Sequence, residues 1–180
     1  MKISIDTPAF YLTSVTHHRL PVFQKEKLAE IAAGAFAEAR KSGGILIFAY
    51  VIMPDHYHLL TDSNRKSSEV LRFMNGISAR RVIDYLKEND FTSSLNKLRQ
   101  ETKKHEYKYS LWEHHPNVFS VNNEATFMQK VNYIHQNPVR AGLVEKAEDY
   151  RYSSARIWGR RPLDDEPLAA DLDKIEWREA

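Results

Sequence analysis

The sequence predicts an α+β fold, an antiparallel sheet covered by helices. Three observations carry this. Two apolar, β-branched runs flank a proline turn within residues 45–61, and a stretch rich in Ala, Glu and Lys precedes them. Two later segments repeat apolar residues at helical spacing. The resulting order is strand, helix, hairpin, helix, more strand and a last helix.

The elements follow from local chemistry. Phe10 to Thr16 is β-branched and aromatic with partial alternation, which predicts a strand. Gln24 to Lys41 reads as a helix stopped at Gly43-Gly44. Ile45 to Met53 is a nearly continuous apolar run, expected of a central strand buried on both faces. Pro54-Asp55 supplies a turn and His56 to Thr61 returns as the second arm of a hairpin. Ser67 is placed to cap a helix reaching about Asn89, with Val70, Leu71, Met74, Ile77, Val82, Tyr85 and Leu86 on its apolar face. From Phe91 to Trp112 lysines and tyrosines interleave, and a strand or two with loops is expected. Asn122 or Asn123 caps a last helix from Glu124 to about Gln136, ended by Pro138.

Composition sets the class. A chain of 180 residues is expected to form one principal domain, over 1–160, followed by an acidic tail over 161–180. That tail carries seven acids against three bases and reads as solvated, which leaves 17 acids against 23 bases in the body. The body's moderate basicity fits a polyanionic partner. With no cysteine, disulfides and thiolate-bound zinc are excluded. No apolar run approaches the roughly 18 residues of a membrane span, so a soluble cytoplasmic protein is expected.

Two motifs carry chemistry. In a strand, side chains alternate, so His56 and His58 share one face and Tyr57 takes the other. Two imidazoles so placed can share a divalent metal, and an apolar hairpin is a costly place for unpaired ones. In the last helix, Phe127, Met128, Val131, Ile134 and His135 fall within about 120° of one another and form the expected core stripe. Tyr133 and Asn137 lie on the opposite, polar side and are i,i+4 neighbours. A structural tyrosine belongs in the apolar stripe, and this one is outside it. Asn137 can cap the helix before proline, and its amide oxygen can also serve as a third metal ligand. A free phenol, with a pKa of about 10, is a poor nucleophile unaided. A divalent cation on a phosphodiester supplies that help. The six glycines form neither of the usual phosphate-binding patterns, G-x-x-x-x-G-K or G-x-G-x-x-G.

The segment Tyr50-Val51-Ile52-Met53-Pro54-Asp55-His56-Tyr57-His58 resembles the histidine–hydrophobe–histidine motif of HUH single-strand endonucleases. Residues 133–144 and the run Asp149-Tyr150-Arg151-Tyr152-Ser153-Ser154-Ala155 resemble the signature of REP-associated tyrosine transposases, relatives of the IS200-like transposases. The likeness covers roughly Phe10 to Trp158 and includes Trp112. It implies a ferredoxin-like sheet, Mg²⁺ or Mn²⁺ held by His56, His58 and Asn137, and Tyr133 as a nucleophile forming a 5′-phosphotyrosine. It further implies single-stranded DNA hairpins, formed by palindromic repeats, as substrate. Arg72, Arg80, Arg81, Lys103, Lys104 and Arg140 are the expected phosphate contacts. Monomer and homodimer both remain open. The alternatives are a non-catalytic module for single-stranded nucleic acid and a two-histidine metalloenzyme using Asp55 or Asp62.

Overall fold

The computed structural model describes residues 1–62, 64–100 and 108–176. Strands β1 (Ala9–Val15), β2 (Ile47–Met53), β3 (His56–Thr61) and β4 (Asn117–Val121) pair antiparallel in the order β2-β3-β1-β4. Helices α1 (Glu26–Gly43) and α2 (Ser67–Glu88) cover one face of the sheet. Helix α4 (Glu124–Arg140) covers the other, and α3 (Thr92–Lys97) and α5 (Ala155–Trp158) are short. The α+β architecture read from the sequence is the one observed.

Alternation assigns the two cores. Leu12, Ile47, Ile52, Tyr57 and Leu59 point towards α1 and α2, where Phe36, Met74 and Val82 meet them. Tyr11, Val51 and Leu60 point towards Phe127, Val131 and Ile134 of α4. β2 is buried along its whole length, as expected for a strand with a helical layer on each side. Alanines at 29, 32, 33 and 39 line the buried side of α1, where short side chains let helices approach closely. Gly44, at φ +60°, turns the chain out of α1 in the left-handed region that glycine enters without penalty.

Five local expectations are corrected. The strand expected within 91–112 is replaced by α3 and an isolated bridge between Arg99 and Tyr109. Leu95 and Leu98, three residues apart, bury one helical face there, and the fourth strand forms later, at Asn117–Val121. Pro138 does not end α4, which continues to Arg140. So near the terminus the ring removes only one helical bond, its own burial compensates, and Ala141 N–H still reaches the Asn137 carbonyl at 3.0 Å. Ser67 is the first helical residue and not the cap; the Glu69 carboxylate accepts from the Lys66 N–H instead. Met128 lies at the margin of the apolar arc and is 43% exposed.

The fifth correction concerns the acidic tail, whose described part packs against the body. Residues 150–171 close the free edge of β2. Ile52 N–H donates to Tyr152 O at 2.9 Å, Ser154 N–H to Tyr50 O at 3.0 Å, and Asp171 N–H to Ile47 O at 2.7 Å. The Trp158 indole donates to Phe48 O at 2.8 Å. Counting acids implied solvation, but these acids have partners: Asp171 with Arg40 and the Ile47 N–H, Glu166 with Arg156, Asp165 with Arg151. A strap of this kind removes an edge that invites pairing with other chains. Asp171→Ala strips a buried acceptor from both partners and is expected to cost about 3 kcal/mol, lowering Tm by roughly 6–12 °C. A thermal melt shifted by less than about 2 °C contradicts the strap.

Candidate metal and nucleophile site

The site is built by the β2–β3 turn. β3 opens at His56 directly after Pro54-Asp55, so both imidazoles stand on the α4 face at the turn end of the hairpin. Tyr57 points the opposite way, fully buried, donating to Asn75 Oδ1 at 2.8 Å and packed edge-on against Phe36. It is a core residue, as its place in the alternation implied.

Each imidazole is backed through Nδ1. Asp55 Oδ1 lies 2.6 Å from His56 Nδ1, and Asp55 Oδ2 accepts from Arg19 at 3.0 Å. Burial opposes ionisation of Asp55, but His56 and Arg19 outweigh it and hold the carboxyl below its usual range. Tyr11 Oη and Thr13 Oγ1 both lie 2.8 Å from His58 Nδ1. Burial pushes the Tyr11 phenol up to about 12, so it stays protonated as a neutral partner. Burial, then the neighbouring His56, depresses His58 to about 3, while a hydrogen bond with Asn137 opposes the shift. His58 is therefore neutral at ordinary pH, the form that ligates metal. The two rings stand 4.8 Å apart, centroid to centroid.

Helix α4 brings the other partners. His135 Nε2 meets Ser154 Oγ at 2.9 Å, and Ser154 N–H bonds β2, so the helix is tied to the strap and the sheet. This fixes the height of Tyr133, one turn from Asn137. Tyr133 is 39% exposed, with its ring 5.5 Å from His58 and 6.2 Å from Tyr11, both edge-on. Asn137 Nδ2 donates to the Tyr133 carbonyl at 2.7 Å, and the amide also hydrogen-bonds His58. The amide oxygen is the atom of Asn137 chemically able to ligate a cation. Among the described residues no group of three His, Asp or Glu side chains is placed to hold a metal ion. Two imidazoles backed through Nδ1, with an amide beside them, fit a divalent cation that keeps open positions for phosphate and water.

The expected phosphate contacts separate. The Arg140 guanidinium lies 5.2 Å from the Tyr133 ring centre, at the site. Arg72, Arg80 and Arg81 lie on α2, across the sheet. Arg81 is engaged by Glu38 at 2.9 and 3.0 Å, Arg80 lies 3.7 Å from Asp84, and Arg72 rests near the Phe73 ring. Lys103 and Lys104 lie outside the described residues. Four residues at the site were absent from the ligand and nucleophile set read from the sequence: Tyr11, Thr13, Lys130, and Asp55 as a support. Polar residues two apart in an otherwise apolar strand were the available signal for the first two. Trp112 anchors the core, donating to Ser78 Oγ at 3.0 Å.

Buried neutral histidines make stability depend on pH. Burial lowers His135 to about 4 and His58 to about 3, against about 6.5 for an unfolded histidine. Between these limits the unfolded chain binds more protons, so the stabilisation is complete above about pH 6.5 and is lost as pH falls. His135→Gln is expected to remove about 1.4 kcal/mol per pH unit from the slope between pH 6 and 4.5, measured by urea unfolding of metal-free protein. An unchanged slope contradicts the assignment of His135.

The family model described as IS200-like transposase matches residues 9–137. Among solved structures, the chain is similar to a REP-associated tyrosine transposase bound to a REP hairpin. The TM-score is 0.60 at 18% identity, covering 92% of this chain and 87% of that one. It is also similar to a candidate transposase from Deinococcus radiodurans R1, at TM-score 0.48 and 23% identity over 72% of this chain and 90% of that one. No curated protein matches. No helix among the described residues is long and apolar enough to cross a membrane. The family match runs from β1 through both histidines and Tyr133 to Asn137, and the chain belongs to the IS200-like transposase family.

Proposed function

We propose that this chain cleaves and rejoins single-stranded DNA beside hairpins formed by palindromic repeats, with Tyr133 as nucleophile. The observation that carries the reading is the placement of a half-exposed tyrosine ring 5.5 Å from a buried, neutral histidine whose strand neighbour is a second imidazole. The hairpin as substrate rests on family membership and on the fold shared with a transposase bound to a REP hairpin.

His56 and His58, through Nε2, and Asn137, through its amide oxygen, would hold Mg²⁺ or Mn²⁺. When bound, such a cation neutralises charge on the scissile phosphate and polarises phosphorus towards attack. The remaining work belongs to side chains. Asp55 and the Tyr11–Thr13 pair fix the orientation of the imidazoles. Arg140 places positive charge beside the phosphate that Tyr133 attacks. The Tyr133 oxygen loses its proton and bonds to phosphorus, the bond from phosphorus to the 3′ oxygen breaks, and that oxygen takes up a proton. The products are a 5′-phosphotyrosine and a free 3′-hydroxyl. Because the phosphoester is exchanged and not hydrolysed, a second 3′-hydroxyl can reverse the step on another end without a nucleoside triphosphate.

The two-histidine hydrolase reading is disfavoured by its own ligands. Asp55 is committed to His56 and Arg19. Asp62 is buried, accepting from Leu46 N–H at 3.0 Å and Thr61 Oγ1 at 3.2 Å. The test is a labelled hairpin oligonucleotide with a single-stranded flank, incubated with Mn²⁺ or with a chelator. A shorter strand together with a protein-linked strand, both lost with chelator, is the expected result. Binding without cleavage under every metal condition returns the chain to a pure binding module.

A further inference from the structure

The far edge of the sheet carries a feature the reaction does not use. Phe119 in β4 is 48% exposed and lies directly opposite Tyr11 in the β1–β4 register, so its ring stands on the same face as His58. Above it, Lys130 Nζ lies 4.9 Å from the Phe119 ring centre, 4.5 Å from that of Tyr11 and 6.0 Å from that of Tyr133. No ion pair engages Lys130 among the described residues. The row Phe119, Lys130, Tyr133, Arg140 therefore runs from the β4 edge to the nucleophile with alternating ring and cation.

An exposed phenylalanine on an edge strand is a liability unless something covers it. β2, the opposite edge, is strapped, whereas among the described residues β4 pairs with β1 alone and its other edge carries no strap. A ligand for the row needs a flat apolar face for Phe119 and an anion for Lys130. An unpaired nucleotide has both, whereas bases inside a duplex keep their faces stacked on one another.

We propose that Phe119 and Lys130 form a subsite for one unpaired nucleotide of the single strand flanking the scissile phosphate. The base stacks on Phe119 and its phosphate meets Lys130. The proposal rests on the single-strand reading given above and names the surface that grips the strand. It also assigns a task to a cation on the polar side of α4 that the nucleophile reading left without one.

The test compares two oligonucleotides, a bare hairpin and the same hairpin with a short thymidine flank, by fluorescence anisotropy with full-length protein. The unaltered chain is expected to bind the flanked DNA more tightly. Phe119→Ala is expected to weaken flanked binding by roughly 5- to 100-fold and leave the bare hairpin unchanged, while Phe119→Trp restores the gain. Lys130→Gln is expected to lower the slope of log K against log salt by about 0.7 on flanked DNA alone. Phe119 is half exposed, so folding survives its truncation, and circular dichroism checks this. A flank gain that survives Phe119→Ala overturns the subsite and leaves the functional reading intact. Failure of the unaltered chain to bind either DNA overturns both. A fall in sedimentation mass for Phe119→Ala with unchanged DNA affinity gives the face to a second copy of the chain and also overturns the subsite.

Discussion

Tyr133→Phe is expected to bind the flanked hairpin within about twofold of the unaltered chain and to form no covalent adduct. Removal of the hydroxyl leaves the ring in place, so its edge contacts with His58 and Tyr11 and the Arg140 contact persist. Only the atom proposed to bond to phosphorus is lost. A nucleophile has no understudy, and strand cleavage should fall by more than about 10⁴-fold, as it does when other covalent enzymes lose theirs. Surviving adduct at the usual yield would move the nucleophile to another residue. Tyr11 is then the nearest phenol, but its hydroxyl is spent on His58 and Thr13 and its ring is buried.

Removing metal support from His58 is the second large effect. His58→Ala deletes a proposed ligand and strands the Tyr11 and Thr13 hydroxyls in a buried pocket, so metal affinity should fall by at least about 100-fold along with cleavage. Because a buried truncation also weakens the fold, a gentler pair of variants separates the effects. Tyr11→Phe and Thr13→Val each leave one oxygen 2.8 Å from Nδ1 and should change Mn²⁺ affinity little. The double variant keeps the imidazole and removes both oxygens, and affinity should drop by about 10- to 100-fold. Calorimetric titration with Mn²⁺ reads this without turnover. Additive small losses in the singles, or no loss in the double, contradict a shared supporting role.

Local pattern makes much of this legible in the sequence. The hairpin announced itself because β2 is apolar on both faces and Pro54-Asp55 forces reversal, and that fixed the common face of His56 and His58. The outlying angle of Tyr133 on α4 could be read because helical period is rigid over one or two turns. What escaped depended on contacts distant in sequence. Asp171 became a sheet partner only because the strap returns to Ile47, so an acid that looked solvated is buried. Pro138 looked like a terminator because its burial against the fold is invisible to a rule about backbone donors. Arg81 looked like a free base, and Glu38 on α1, 43 residues away, engages it. Helical period puts Lys130 on the polar side of α4, yet its position among three aromatic rings required β4, which the sequence reading placed too early.

The central claim is that Tyr133 carries the DNA, and peptide mapping tests it most directly. The unaltered chain is incubated with the flanked hairpin and Mn²⁺, digested with protease and nuclease, and analysed by tandem mass spectrometry. The account predicts a nucleotide phosphate on the peptide containing Tyr133, formed only with metal. Modification of any other tyrosine, or an adduct that forms equally without metal, contradicts it.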